Sequence, residues 1–176
     1  MPEQEVNQAI KTIISRRSIR HYSDSPVTDE EVTAIMTAAM SAPSAGNEQP
    51  WEFIIIRDKK TLSSITKIHP YAQMLEEASL AIAVCGDILK EKHQGFWVQD
   101  CSAATQNILL AAHALGLGAV WLGIHPIKER VDGIAKLLHL PSNIVPLSLV
   151  PVGHPDEEKV PANRFDSSRL HHEIWP

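Results

Sequence analysis

The chain has 176 residues, 44% hydrophobic and 21% charged, and its 16 basic and 21 acidic side chains leave a formal charge of −5. These values describe a globular protein and exclude a disordered one; they give no overall basic field for nucleic acid or an anionic membrane surface. The length suits one domain over residues 1–176. Cys85 and Cys101 lie in apolar surroundings and form no Cys-x-x-Cys pair, which excludes a disulfide scaffold or a cysteine zinc site and fits a reducing compartment. No apolar run approaches the roughly 18–20 residues of a membrane helix. The start, Met1-Pro2-Glu3-Gln4-Glu5, is acidic and polar, so it is no signal peptide, and a cytoplasmic location is expected.

Apolar residues at Val6, Ala9, Ile10, Ile13 and Ile14 predict a helix over residues 5–17 with one buried face and a cationic last turn. Pro26 closes the next loop. Thr28 and Glu31 then form a capping box that opens a helix through about Met40. Two prolines, a glycine and polar turn formers make residues 42–50 irregular. The β-branched, apolar run 51–57 predicts a strand, and Asp58 caps a short helix to about Ile68. The continuously apolar run 79–85 predicts a strand covered on both faces. Residues 96–115 are Ala-rich and apolar around most of a helical circumference, which predicts a central buried helix stopped by Gly116 and Gly118. A strand over 119–124 and a helix from Pro126 to near Leu138 follow. The strand over 144–152 contains Pro146 and Pro151, which push it toward an edge or a bulged position. The polar, aperiodic tail from about 154 to 176 ends in Ile174-Trp175-Pro176. It reads either as a frayed terminus or as an arm wrapping a partner subunit with Trp175 as anchor. Helices and strands mix without strict βαβ alternation, so the expected class is α+β.

Several chemistries are missing. The chain has no Gly-x-Gly-x-x-Gly before a helix, no Walker loop, no Gly-x-Ser-x-Gly elbow and no His-Glu-x-x-His helix. Seven of nine histidines stand alone and His171-His172 are adjacent, so spacing supports no metal site. The acidic pairs Glu30-Glu31, Glu76-Glu77 and Glu157-Glu158 read as solvated faces. With no proton-transfer or nucleophilic machinery in view, an enzyme of this sequence needs a cofactor to carry its chemistry.

Two segments stand out. Arg16-Arg17-Ser18-Ile19-Arg20 packs three guanidiniums and a hydroxyl into five residues of an acidic protein, a set that suits phosphate oxygens; helix-end charge is the competing reading. In the loop from Pro43 to Trp51, Ser44, Asn47 and Gln49 can hydrogen-bond to the edge of a heterocycle. Together, Arg16-Arg17-Ser18-Ile19-Arg20-His21-Tyr22 and Ala42-Pro43-Ser44-Ala45-Gly46-Asn47-Glu48-Gln49-Pro50-Trp51 resemble the N-terminal signature of the nitroreductase family of FMN flavoproteins. Trp97-Val98-Gln99-Asp100, Ala103-Ala104-Thr105-Gln106-Asn107, the run from Gly116 to Gly123, Val150-Pro151-Val152-Gly153-His154-Pro155 and Arg164 extend the resemblance in the same order.

The resemblance implies an α+β fold with a central, mostly antiparallel sheet flanked by helices. It also implies an intertwined homodimer with FMN at the subunit interface. Carried over by position, Arg16, Arg17, Ser18 and Arg20 hold the phosphate and ribityl end, and Arg164 closes on the phosphate. Pro43, Ser44 and Asn47 reach the flavin from the second subunit, and backbone amides of Leu122 and Gly123 face its reactive edge. Ala162 stands where the family often has a second basic residue, which makes Lys159 a candidate replacement. An asparagine that contacts flavin in larger relatives has no counterpart around Pro70-Tyr71-Ala72-Gln73. The implied activity passes hydride from NAD(P)H through flavin N5 to nitroaromatic or quinone-type acceptors by a ping-pong mechanism. The alternative is a family relative that binds FMN without NAD(P)H turnover. Trp51, Trp97 and Trp121 read as packing anchors, Cys101 as an inert small hydrophobe, and His125 as a surface histidine or a wall of the acceptor pocket.

Overall fold

A computed structural model of the protein describes residues 7–175. Val6, residues 1–5 and Pro176 lie outside the described residues.

The architecture is α+β. Strands β1 (Trp51–Ile56), β2 (Leu80–Asp87), β3 (Gly118–Ala119), β4 (Leu122–Gly123) and β5 (Ile144–Gly153) form one antiparallel sheet in the order β1-β2-β5-β3, with β4 also on β5. β2 explains the layering. Its residues alternate between two cores: Leu80, Ile82 and Val84 join one, and Ala81, Ala83 and Cys85 join the other. Helices α2 (Asp29–Met40) and α4 (Trp97–Ala114) cover the first face, and α3 (Lys59–Thr66) and α5 (Lys128–Leu137) cover the second. A strand covered on both faces has no place for polar side chains, hence the continuous apolar run in its sequence.

Local signals act as expected at most element ends. The Thr28–Glu31 capping box opens α2, and the Asp58 carboxylate accepts the Thr61 N–H at the start of α3. α4 stops where Gly116 takes a φ of +77°. Other expectations change. The strand expected over 119–124 is two short pairings on β5, interrupted at Val120-Trp121. The helix expected from Pro126 begins at Lys128. Of the two positions expected for β5 it takes the bulged one: it lies inside the sheet, and Pro146 falls at a register shift opposite Cys85 that leaves Leu147 as a bulge.

α1 (Gln8–Ser15) departs most. Its expected apolar face is present but uncovered within the chain: Ile10, Ile13 and Ile14 are 52%, 55% and 56% exposed. Arg16 is the capping residue, so the cations fall at and beyond the helix end and not in its last turn.

Candidate functional site

After α1 the chain runs along β3. Ser18 bridges Ala119, and the Ile19 N–H donates to the Ala119 carbonyl at 3.0 Å. This approach requires glycine at 118, since a Cβ there would stand 2.6 Å from the Ile19 side chain. Tyr22 is buried and its hydroxyl donates to the Ile19 carbonyl at 2.8 Å. The start of the tail ties the same segment from outside. Glu157 accepts the Arg20 N–H at 2.6 Å, and the Lys159 ammonium bonds both Glu157, at 2.9 Å, and the Ser18 carbonyl, at 2.8 Å.

This frame gathers guanidiniums without neutralising them. Arg16, Arg17 and Arg164 line a cleft of about 510 Å³ with Ile13, Ile14 and Ala162. Burial lowers the Arg16 pKa, and the charges of Arg164 and then Arg17 lower it further, so the protonated cluster repels itself. Neither Arg16, Arg20 nor Arg164 has a carboxylate paired to its guanidinium among the described residues. Arg17 differs. Its Nε donates to the Val160 carbonyl at 3.0 Å, Nη2 to Ile14 at 3.1 Å, and Nη1 to the Arg16 carbonyl, so it fastens the tail to the end of α1. Ala162 brings no charge to the cleft. Lys159 lines an adjoining cavity of about 320 Å³, already paired with Glu157. In that cavity the Ser15 hydroxyl lies 2.7 Å from His113 Nε2, and burial followed by Arg16 and Arg17 keeps His113 below its ordinary pKa.

The second predicted segment lies elsewhere. Ala45–Asn47 forms a short turn with Gly46 and Asn47 both at a φ of 53°. Pro43 and Ser44 line a different cavity of about 360 Å³, with Phe96, Gln99 and Asp100, which shares no residue with the arginine cleft. Asn47 is exposed, its Oδ1 accepting from Gln49 Nε2 at 3.3 Å. One chain therefore does not bring the two segments into one cavity.

β4 places Leu122 and Gly123 opposite Leu149 and Ser148. Leu122 is buried, whereas a Cβ on Gly123 would meet nothing within 4 Å, so the backbone there faces open space. Behind it, the Gly123 carbonyl accepts from Arg130 Nη1 at 2.9 Å and from His69 Nε2 at 3.1 Å. The Tyr71 N–H donates to His69 Nδ1 at 3.2 Å, which puts the ring proton on Nε2. Burial and then Arg130 lower the His69 pKa, keeping the ring neutral. No motif marks these two residues; they meet only because α5 and the loop after α3 pack on the same strand.

The remaining candidates resolve simply. Trp51 and Trp97 are buried and Trp121 packs against the α4-side core, as expected of packing anchors. The His125 ring meets Trp97 edge-on at 5.0 Å. Cys85 and Cys101 are buried free thiols whose pKa values burial raises, Cys85 to about 12. Each acidic pair puts one member to structural use: Glu31 in its capping box, Glu77 accepting the Tyr22 N–H, and Glu157 as above. Among the described residues no three His, Cys, Asp or Glu side chains could hold a metal ion, and no helix is long and apolar enough to cross a membrane.

A model described as "Nitroreductase family" matches residues 13–154, a span that contains the arginine segment, the 42–50 loop and β4. The chain belongs to the nitroreductase family. It is 50% identical over 171 residues to a protein of Methanothermobacter thermautotrophicus named "Putative NADH dehydrogenase/NAD(P)H nitroreductase", covering 97% of this chain and 88% of that one. A solved structure of the same name from Parabacteroides distasonis is 44% identical with a TM-score of 0.93, covering 96% of this chain and 99% of that one. The NADPH:FMN oxidoreductase from Vibrio harveyi, solved in complex with NAD+, is 26% identical with a TM-score of 0.86, covering 97% of this chain and 79% of that one. Nitroreductase membership makes the protein an oxidoreductase.

Proposed function

We propose that the protein is an FMN-dependent oxidoreductase that transfers hydride from NAD(P)H to nitroaromatic or quinone-type acceptors. The observation that carries this reading is the cleft where Arg16 and Arg164, with no carboxylate paired to either among the described residues, repel each other. Guanidiniums held together without carboxylates fit a dianionic phosphate, and the open backbone at Gly123 fits the approach of a flat ring. Arg16, Ser18, Arg20 and Arg164 would hold the phosphate and ribityl end, with Arg17 fixing Arg16 and the tail in place. Each charge-assisted bond to phosphate contributes about 1.5–3 kcal/mol. Leu122 and Gly123 would present backbone amides to the ring, on a strand that Arg130 and His69 hold from behind. When bound, FMN supplies the hydride acceptor and donor at N5. The residues would hold the flavin and orient the two substrates in turn, an order that gives ping-pong kinetics.

The site takes two chains. Pro43, Ser44 and Asn47 lie outside the arginine cleft and would reach it from a second copy. The uncovered Ile10, Ile13 and Ile14 supply an apolar face for that homodimer. Beyond residue 154 the tail, with Phe165, Ile174 and Trp175 79%, 79% and 78% exposed, would wrap the partner. The whole of residues 1–176 serves as one FMN-binding domain, working in the cytoplasm.

An absorbance spectrum of the purified protein before and after anaerobic NADH or NADPH tests the assignment. Flavin bands that bleach with nucleotide and return with a quinone are expected. Bands indifferent to both nucleotides would leave an FMN-binding family member without NAD(P)H turnover. Parallel double-reciprocal plots over both substrates are the expected kinetic pattern, and intersecting lines reject the ping-pong order.

A further inference from the structure

We propose that Glu48 and Asp100 share a single proton, and that this acid–carboxylate bond fastens the 42–50 loop to the first turn of α4. Both carboxyls are buried, at 8% and 4% exposure. One oxygen of each is already engaged. Asp100 Oδ1 accepts the Ala45 N–H at 3.0 Å, and Glu48 Oε2 accepts the Lys92 N–H at 2.5 Å and the His93 N–H at 3.3 Å. The other two, Glu48 Oε1 and Asp100 Oδ2, are buried and have no further donor among the described residues. The two carboxyls belong to one packed turn: Asp100 accepts the Ala45 N–H, and the Ala45 carbonyl accepts the Glu48 N–H at 3.0 Å.

A hydrogen bond between two carboxyls requires a proton on one of them, because two carboxylates offer no donor and repel. The surroundings decide which. The backbone bond from Lys92, and then that from His93, hold the Glu48 carboxyl below its usual range. Asp100 has only one such bond; burial, the bond to Glu48 and the charges of Glu48 and Glu91 all raise it. Asp100 Oδ2–H therefore donates to Glu48 Oε1. The charged groups around the pair do not replace the proton. Glu91 adds negative charge while its Oε1 accepts the Gly95 and Trp97 N–H groups at 2.7 and 3.1 Å. The Lys92 ammonium is turned to the Gly46 carbonyl at 3.2 Å, and His93 faces Glu48 through its backbone N–H and its ring charge when protonated. Neither carboxyl has an ion pair with lysine or arginine among the described residues.

Glu48 and Asp100 are positioning residues. The proton holds Ala45 and the residues beside it, Pro43, Ser44 and Asn47; that these meet flavin rests on the function proposed above. The sign of the pH dependence follows. Asp100 ionises in the unfolded chain above about pH 3.9, while the folded protein keeps its proton, so stability falls as pH rises until Asp100 ionises in the fold and then levels off. Glu48 has the opposite sign, and its stabilising contribution is fully present above its unfolded value of about 4.3. The downward slope above about pH 3.9 belongs to Asp100.

The test uses the full-length holoprotein. Infrared spectroscopy at pH 5, above the ordinary aspartate value of about 3.9, should show a protonated-carboxyl stretch that shifts on 13C-labelling of the aspartate side chains. Asp100→Asn should remove it. Glu48→Gln should also remove it although Asp100 remains, because the introduced side-chain amide then donates to Asp100 and lets it ionise. The thermal midpoint of the wild type should fall from pH 5 to pH 8 relative to Asp100→Asn, in which the amide imitates the acid. No labelled band in the wild type, or a band that survives Glu48→Gln, overturns the shared proton. Neither readout involves flavin binding. A confirmed band with FMN affinity unchanged in both variants supports the pair and rejects only the loop's place at the flavin.

Discussion

β2 and the two ends of the chain treat apolar residues in opposite ways. Every residue from Leu80 to Gly86 is buried, with alternate side chains entering two separate cores. At the ends, Ile13, Ile14, Phe165 and Trp175 are more than half exposed although equally apolar. The sheet satisfies its hydrophobic surface within one chain. The ends do not, and they are the segments that border the arginine cleft. The fold is complete in a single copy, whereas the proposed site is finished only by a second.

The largest expected effect tests that contrast directly. Leu149→Ala, in the fully buried centre of β5, should cost about 2–5 kcal/mol of unfolding free energy in denaturant titrations. Ile13→Glu should change the stability of the single chain by no more than about 0.5 kcal/mol, since the side chain is more than half exposed there. It should instead shift the sedimentation equilibrium toward monomer. Equal losses of chain stability from both substitutions would erase the contrast.

Next in size are the arginines. Arg16→Ala or Arg164→Ala should weaken FMN binding by about 10–150-fold, the equivalent of one charge-assisted bond of about 1.5–3 kcal/mol. Fluorescence titration at low and high salt measures it, and the loss should shrink as salt screens the site. Arg17→Ala should act differently, because its guanidinium is already bonded to three carbonyls. The expected result is faster proteolysis of the tail beyond Val160, with a smaller loss of FMN affinity. A loss as large as that of Arg16→Ala would make Arg17 a direct phosphate ligand.

How much of this was legible depends on the distance over which each feature is decided. The capping box of α2 and the Asp58 cap lie within four residues, and both were readable. The two-faced burial of β2 was readable from its unbroken apolar run. For β5 the prolines announced an edge or a bulge, and only the pairing with β2 decides for the bulge. The gap between β3 and β4 was hidden for the same reason. Within the candidate site, the five-residue arginine segment announced itself. His69 and Arg130 did not, being 61 residues apart and brought together at the Gly123 carbonyl. Glu48 and Asp100 were hidden twice over, since buried acids resemble surface acids until packing shows what surrounds them.

The smallest effect separates that hidden chemistry from ordinary charge. Lys128 and Asp132 form an ion pair one helical turn apart on α5, and both side chains are well exposed, at 79% and 61%. Lys128→Ala should change stability by no more than about 0.5 kcal/mol, because solvent screens the pair and ordering two long side chains opposes it. Arg130, on the same helix, gives the useful control. Its guanidinium reaches the Gly123 carbonyl, so Arg130→Ala leaves His69 as the side chain bonded to that carbonyl among the described residues. Removing the nearer positive charge should also raise the His69 pKa, visible as a later imidazole titration by NMR. If Lys128→Ala moved that titration as far as Arg130→Ala, the charge behind β4 would be the diffuse field of α5 and not one placed guanidinium.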